Sequence, residues 1–89
     1  YVGDGVNSSG GAADATFTGA VVGERVIAMW GQTKTDAGTT AHTYIKLVPG
    51  TDVEALIGTT NKITFKNGVA DKSAYTFVAI CAPAATVAA

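Results

Sequence analysis

Charge is scarce in this chain. Only 15% of its 89 residues are Asp, Glu, Lys or Arg, and six basic against seven acidic side chains leave a formal net charge of −1. Soluble domains carry about 25% charged residues. The near balance excludes a nucleic-acid binder working through a basic surface. Low charge combined with 47% hydrophobic residues also excludes intrinsic disorder, which requires the opposite composition. Cysteine is almost missing. Cys81 is the only one, so no internal disulfide can form, which rules out a disulfide-stapled secreted module. Long apolar runs are missing too: no stretch of 18 residues is continuously apolar, so no helix is expected to span a membrane. The N-terminus lacks the basic-then-apolar pattern of a secretion signal.

The residues that carry chemistry are equally sparse. His42 is the single histidine. A general base needs an orienting partner and a nucleophile, and a metal site needs further ligands at fixed spacing. Neither His-x-x-x-His nor Cys-x-x-Cys occurs, so His42 reads as a strand-end surface residue. A Cys81–His42 nucleophile–base pair is disfavoured, because a thiol inside an apolar strand has its pKa raised rather than lowered. The carboxylates Asp4, Asp14, Glu24, Asp36, Asp52, Glu54 and Asp71 are scattered, and a calcium site would have to be assembled across loops. Gly3 and Gly5 precede no helix, and the phosphate-loop pattern is absent. Asn7-Ser8-Ser9 is a glycosylation sequon with no secretion signal to support it. No catalytic, cofactor-binding or metal-binding residues are therefore assigned, and no cofactor. The expectation is a protein that is not an enzyme.

Sixteen Ala, thirteen Thr, eleven Gly and ten Val make up 50 of the residues. Branching at Cβ suits Thr and Val to a pleated surface, whereas large helix formers are few. The length allows one domain, burying about 60–65% of the surface of the unfolded chain. The fold expected is all-β, a small antiparallel β-sandwich or barrel over residues 15–83, with a flexible or extended N-terminal arm at 1–14 and a short tail at 84–89.

Along the chain, Thr16–Thr18 is a short strand candidate, and Gly23-Glu24 a turn. Arg25–Trp30 is the strongest early strand, closed by Gly31. It is apolar on both faces after Arg25, the pattern of a strand covered by the core on one side and by something else on the other. Residues 32–41 read as a loop with a turn at Asp36-Ala37-Gly38. His42–Val48 alternates, with Tyr44, Lys46 and Val48 on one face and Thr43, Ile45 and Leu47 on the other. Thr51–Gly58 has capping-box spacing at Thr51 and Glu54, but so short a helix is marginal, and an irregular or strand segment is favoured. Lys62–Lys66 turns Ile63 and Phe65 inward, and Asn67-Gly68 is a tight-turn signal. Residues 74–82 form the last strand, with Tyr75, Phe77, Ala79 and Cys81 on one face, and Pro83 stops it. The expected core is Phe17, Val22, Val26, Ala28, Trp30, Ile45, Leu47, Leu56, Ile63, Phe65, Phe77 and Cys81.

Two stretches, Phe17–Ala28 and Asp52–Ile80, resemble small virion proteins of tailed bacteriophages. The first has a Gly-acidic turn leading into a Val-rich strand. The second has Ile63-Thr64-Phe65, a polar break, then the closing run Tyr75–Ile80, with Lys66–Ala70 standing where the family has a polar, amide-rich stretch. The resemblance implies a non-enzymatic decoration or cement subunit of a capsid. Its partners would be identical subunits and a major virion protein, with no nucleic acid or membrane, and its location would be the virion. An exterior of Ala, Thr and Gly repels no sister molecule and fits a homo-oligomer, a trimer being one closed-symmetry form. Two alternatives remain open. One is a carbohydrate- or receptor-binding β module, in which Trp30, Tyr44 or Tyr75 would stack on a ligand. The other is an extracellular filament subunit assembled by strand exchange through the arm.

Overall fold

The computed structural model describes residues 1–34 and 42–84. The turn expected at Asp36–Gly38 and most of the expected tail lie outside the described residues. Six strands are present: β1 (Val2–Asp4), β2 (Ala13–Thr16), β3 (Arg25–Thr33), β4 (Tyr44–Leu47), β5 (Lys62–Phe65) and β6 (Tyr75–Ala82). They form a four-stranded sheet in the order β1-β6-β3-β4 and a two-stranded sheet, β2-β5. Every pairing is antiparallel. The two sheets pack together as a sandwich, and no helix occurs among the described residues. The all-β expectation holds.

Aromatic packing joins the sheets. Phe65 of β5 meets Phe77 of β6 edge to face, with ring centroids 5.8 Å apart and planes at 63°, a favoured geometry for two ring quadrupoles. Around them lie Phe17, Met29, Leu47, Val53, Ile57 and Ile63, all essentially free of solvent. Alternation in β5 puts Ile63 and Phe65 inside as expected. In β6 Phe77 and Ala79 are buried, with Tyr75 and Cys81 half-buried against the same core.

Strand β3 departs from the expected parity. Val26 pairs with Cys81 and Ala28 with Ile80, which leaves Ile27 as an extra residue in a β-bulge. A bulge adds one residue to one strand and so exchanges its inward and outward positions beyond that point. Val26 faces inward before the bulge, but Met29 and Gly31 face inward after it. Trp30, expected in the core, is therefore exposed, and Ala28 only half-buried. Val22 and Leu56, also expected inside, are exposed: Val22 lies in the turn before β3, beside the exposed Val21, and the core position next to Leu56 is taken by Ile57. Gly31 does not close the strand, which runs on to Thr33.

The first fourteen residues are extended but not a free arm. Val2, Gly3 and Asp4 pair with Val78, Phe77 and Thr76, and Ala13 and Asp14 pair with Phe65 and Thr64. Glycine there serves close packing: a Cβ on Gly3 or Gly5 would meet the Phe17 or Phe77 ring. Thr51–Gly58 is irregular, as favoured, and ties the sheets together. Val53 bridges to Phe65 of β5, and Leu56 bridges to Arg25 of β3. The turn at Asn67-Gly68 forms with Gly68 at φ 84°. It does not close a hairpin; it carries the chain from one sheet to the other, and the Gly68 amide donates to the Ser8 carbonyl (2.9 Å).

Candidate functional site

The outer face of the four-stranded sheet is the surface on which unusual residue types gather. The bulge at Ile27 turns Ala28, Trp30 and Gln32 outward on β3. Register places these beside Ile80, Val78 and Thr76 of β6. Lys46 and Tyr44 of β4 stand opposite Trp30 and Gln32, and Val2 and Asp4 of β1 opposite Val78 and Thr76. The face is thus ordered in rows. One runs Val2, Val78, Trp30, Lys46; the next runs Asp4, Thr76, Gln32, Tyr44.

The face has two ends of different chemistry. At the Gln32 end, Trp30, Gly31, Gln32, Tyr44, Thr76 and Val78 line an open groove of about 250 Å³. Trp30 is 43% exposed and Tyr44 71% exposed, so both rings border it in reach of solvent. The Thr76 hydroxyl donates to the Asp4 carboxylate at 2.8 Å, which turns the remaining lone pairs of that hydroxyl oxygen into available acceptors. At the other end lie Ile80 and the bulged Ile27, exposed by 45% and 61%, beside half-buried Ala28. Aliphatic exposure of this kind on neighbouring strands is a feature of contact surfaces.

The residues weighed for catalysis do not converge. His42 Nδ1 lies 2.9 Å from the Thr33 carbonyl oxygen. That oxygen only accepts, so this nitrogen carries the proton, and the ring pins the start of β4 to the end of β3. Cys81 pairs with Val26 near the opposite end of β3, roughly 20 Å away at the rise of a β-strand. The nucleophile–base pair is therefore not assembled. Burial, then the Glu24 carboxylate, push the Cys81 thiol above its ordinary pKa.

The carboxylates have local structural duties. Asp14 accepts from the Thr64 hydroxyl. Asp52 accepts from the Val48 amide at 2.7 Å, closing the Pro49-Gly50 turn. Glu24 accepts from the Tyr1 hydroxyl and from the Val21 amide. Asp71 accepts from the Ser73 amide. Among the described residues, no three His, Cys, Asp or Glu side chains come together as a metal site, and no helix is long and apolar enough to cross a membrane.

Sequence reasoning named Trp30 and Tyr44 as possible ligand-stacking residues, and the structure brings these two to one groove. Tyr75 is separated from them: it is half-buried and packs on Phe77 with ring centroids 6.0 Å apart. Gln32 and Thr76 were missed as groove residues. The polar run from Gln32 onward reads as a loop, and the placement of Thr76 beside Gln32 depends on the β3–β6 register, which no local pattern encodes. Compared with known proteins, the chain matches no family model, no curated protein and no solved structure.

Proposed function

We propose that this protein is a non-enzymatic structural subunit of a virion, of the decoration or cement type, which docks on identical copies and on a shell protein through the aliphatic end of its outer sheet face. One observation carries the reading. Strand β3 is apolar on both faces, yet only one face is covered by the chain itself, leaving Ile27 and the neighbouring Ile80 of β6 open. An antiparallel sheet commonly turns a polar face to water, so neighbouring exposed aliphatic side chains on this one are the kind of surface that marks a contact. The small net charge supports close approach of copies, since little repulsion has to be overcome. Filament assembly by strand exchange has less support, because the residues that would be donated pair within their own chain as β1 and β2.

The test is the mass of the purified chain by light scattering over a range of concentrations. The wild type is expected to form a closed oligomer, and Ile80→Lys, which sets a charge on an already exposed position, to remain a monomer. A wild type that stays monomeric at the highest concentrations, or an Ile80→Lys variant that assembles equally well, would overturn the proposal.

A further inference from the structure

We infer that the groove between Trp30 and Tyr44 is a binding site for a neutral carbohydrate. The inference is independent of the docking proposal, since it concerns the Gln32 end of the face rather than the Ile80 end.

The lining has the two kinds of group that a sugar needs. A pyranose ring presents C–H bonds on its faces and hydroxyls on its rim. The negative face of an aromatic ring attracts polarised C–H bonds, and Trp30 and Tyr44 are both exposed enough to offer one. They occupy diagonal positions on adjacent strands, since Trp30 pairs with Lys46 and Gln32 with Tyr44. The Cα atoms of such diagonal neighbours are about 7–8 Å apart, so both rings border the same groove and can offer their faces to one sugar ring lying in it. The rim hydroxyls find both donors and acceptors. The Gln32 amide offers each. Thr76 is held by Asp4 so that its oxygen accepts, making this part of the groove preorganised rather than adaptable.

Charge selects the class of ligand. None of the groove-lining residues is charged. The Asp4 carboxylate, bonded to Thr76, opposes uronic, sulfated or phosphorylated sugars, while the exposed Lys46 and Lys34 flank the groove beyond Trp30 and Gln32 without lining it. A nucleic acid would need several phosphate contacts, and an acyl chain would leave the Gln32 and Thr76 groups unpaired. At about 250 Å³ the groove falls below the size of enclosed drug-sized pockets. It suits a single ring of a longer glycan whose chain continues across the open face. Affinity for so small a contact is expected to be weak, about 0.1–1 mM.

Trp30 is the only tryptophan, so its emission reports on the groove directly. The experiment titrates the full chain with three neutral hexasaccharides, of β-1,4-glucose, β-1,4-N-acetylglucosamine and α-1,6-mannose, with hexagalacturonate as the anionic control. A saturable blue shift is expected with at least one neutral sugar, and binding about tenfold or more weaker for hexagalacturonate. Tyr44→Ala keeps the reporter and should weaken the neutral sugar about tenfold. Ile80→Lys should leave sugar binding unchanged even where it abolishes assembly. The inference is overturned if no neutral hexasaccharide shifts the emission at ~10 mM, or if Tyr44→Ala binds as well as the wild type. It also fails if the emission shifts with protein concentration alone, which would show a second copy covering the groove.

Discussion

Phe77 stands opposite Gly31 in the β3–β6 ladder, and its ring fills the space that a side chain on Gly31 would need. A Cβ on Gly31 would lie 2.5 Å from the Phe77 ring and 2.7 Å from the Thr76 carbonyl oxygen. Strand interiors disfavour glycine unless something approaches closely, and here the largest buried ring of β6 does. Gly31→Ala is expected to lower stability by about 1–3 kcal/mol through overpacking, read as a lower midpoint in urea with little change in slope. Combined with Phe77→Leu, which retracts the ring, the double variant should lose less than the sum of the two single losses. Strict additivity would show that the two positions are not coupled.

Asn61 secures the 17–20 loop by three bonds. Its side-chain oxygen accepts from the Gly19 amide (2.8 Å), its carbonyl from the Phe17 amide (2.7 Å), and its own amide donates to the Ala20 carbonyl (2.8 Å). It does so at φ 63°, in the left-handed region that asparagine tolerates. Asn61→Ala loses a hydrogen bond worth about 0.5–1.5 kcal/mol and adds about 1–2 kcal/mol of backbone strain. Asn61→Gly loses the bond without that strain. Thermal denaturation should rank the wild type first, Asn61→Gly second and Asn61→Ala last; the reverse order for the two variants would refute the role of the backbone angle.

Ser8 is completely buried, and its hydroxyl has no hydrogen-bond partner among the described residues, although its carbonyl accepts from Gly11 and Gly68. An enclosed polar atom without a partner is destabilising. Ser8→Ala keeps the backbone bonds and should raise stability by about 1 kcal/mol, measured as an increased denaturant midpoint. A loss of similar size would mean that the hydroxyl is satisfied.

Alkali should weaken the fold through two groups. The Tyr1 hydroxyl is held above its ordinary pKa, first by its hydrogen bond to the Glu24 carboxylate and then by burial. The Cys81 thiol is raised first by burial and then by the same carboxylate. Both hold their protons more tightly folded than unfolded. Their contribution is therefore complete below the unfolded pKa values and is lost as pH rises through the folded ones. The denaturation midpoint should fall above about pH 9, and the double variant Tyr1→Phe, Cys81→Ala should flatten that decline. Asp71, lowered by its bonds to Ser73, acts in the opposite sense, its contribution disappearing as pH drops through its folded value.

Much of the fold is written locally. β-Branched residues and strict alternation mark β5 and β6, and Ile63, Phe65, Phe77 and Ala79 take the faces that period two assigns them. The bulge at Ile27 leaves no such mark. It inserts one apolar residue in an apolar run, so the pattern reads equally well with Trp30 inside. That single shift hid the candidate site, because it carries Trp30 outward and Met29 into the core. The N-terminal segment misled for another reason. Gly3 and Gly5 look like flexibility in composition, whereas they are places where two aromatic rings press against the backbone. Such a contact is long-range and cannot be read from neighbours in sequence. The groove inherits both difficulties, since Gln32 and Thr76 meet only when β3 and β6 pair.

The pairing of β1 with β6 has a mechanical consequence. Tyr1 and Ala79 exchange hydrogen bonds in both directions, each 2.8 Å long, so the chain enters and leaves its body at the same end of two neighbouring, oppositely directed strands. Tension applied between Tyr1 and Ala84 opens that ladder as a zipper, one rung after another, instead of shearing all rungs at once. Pulled between these two residues, the domain is expected to yield at lower force than a sheared ladder would, peeling from the β1 side before the Phe65–Phe77 contact parts.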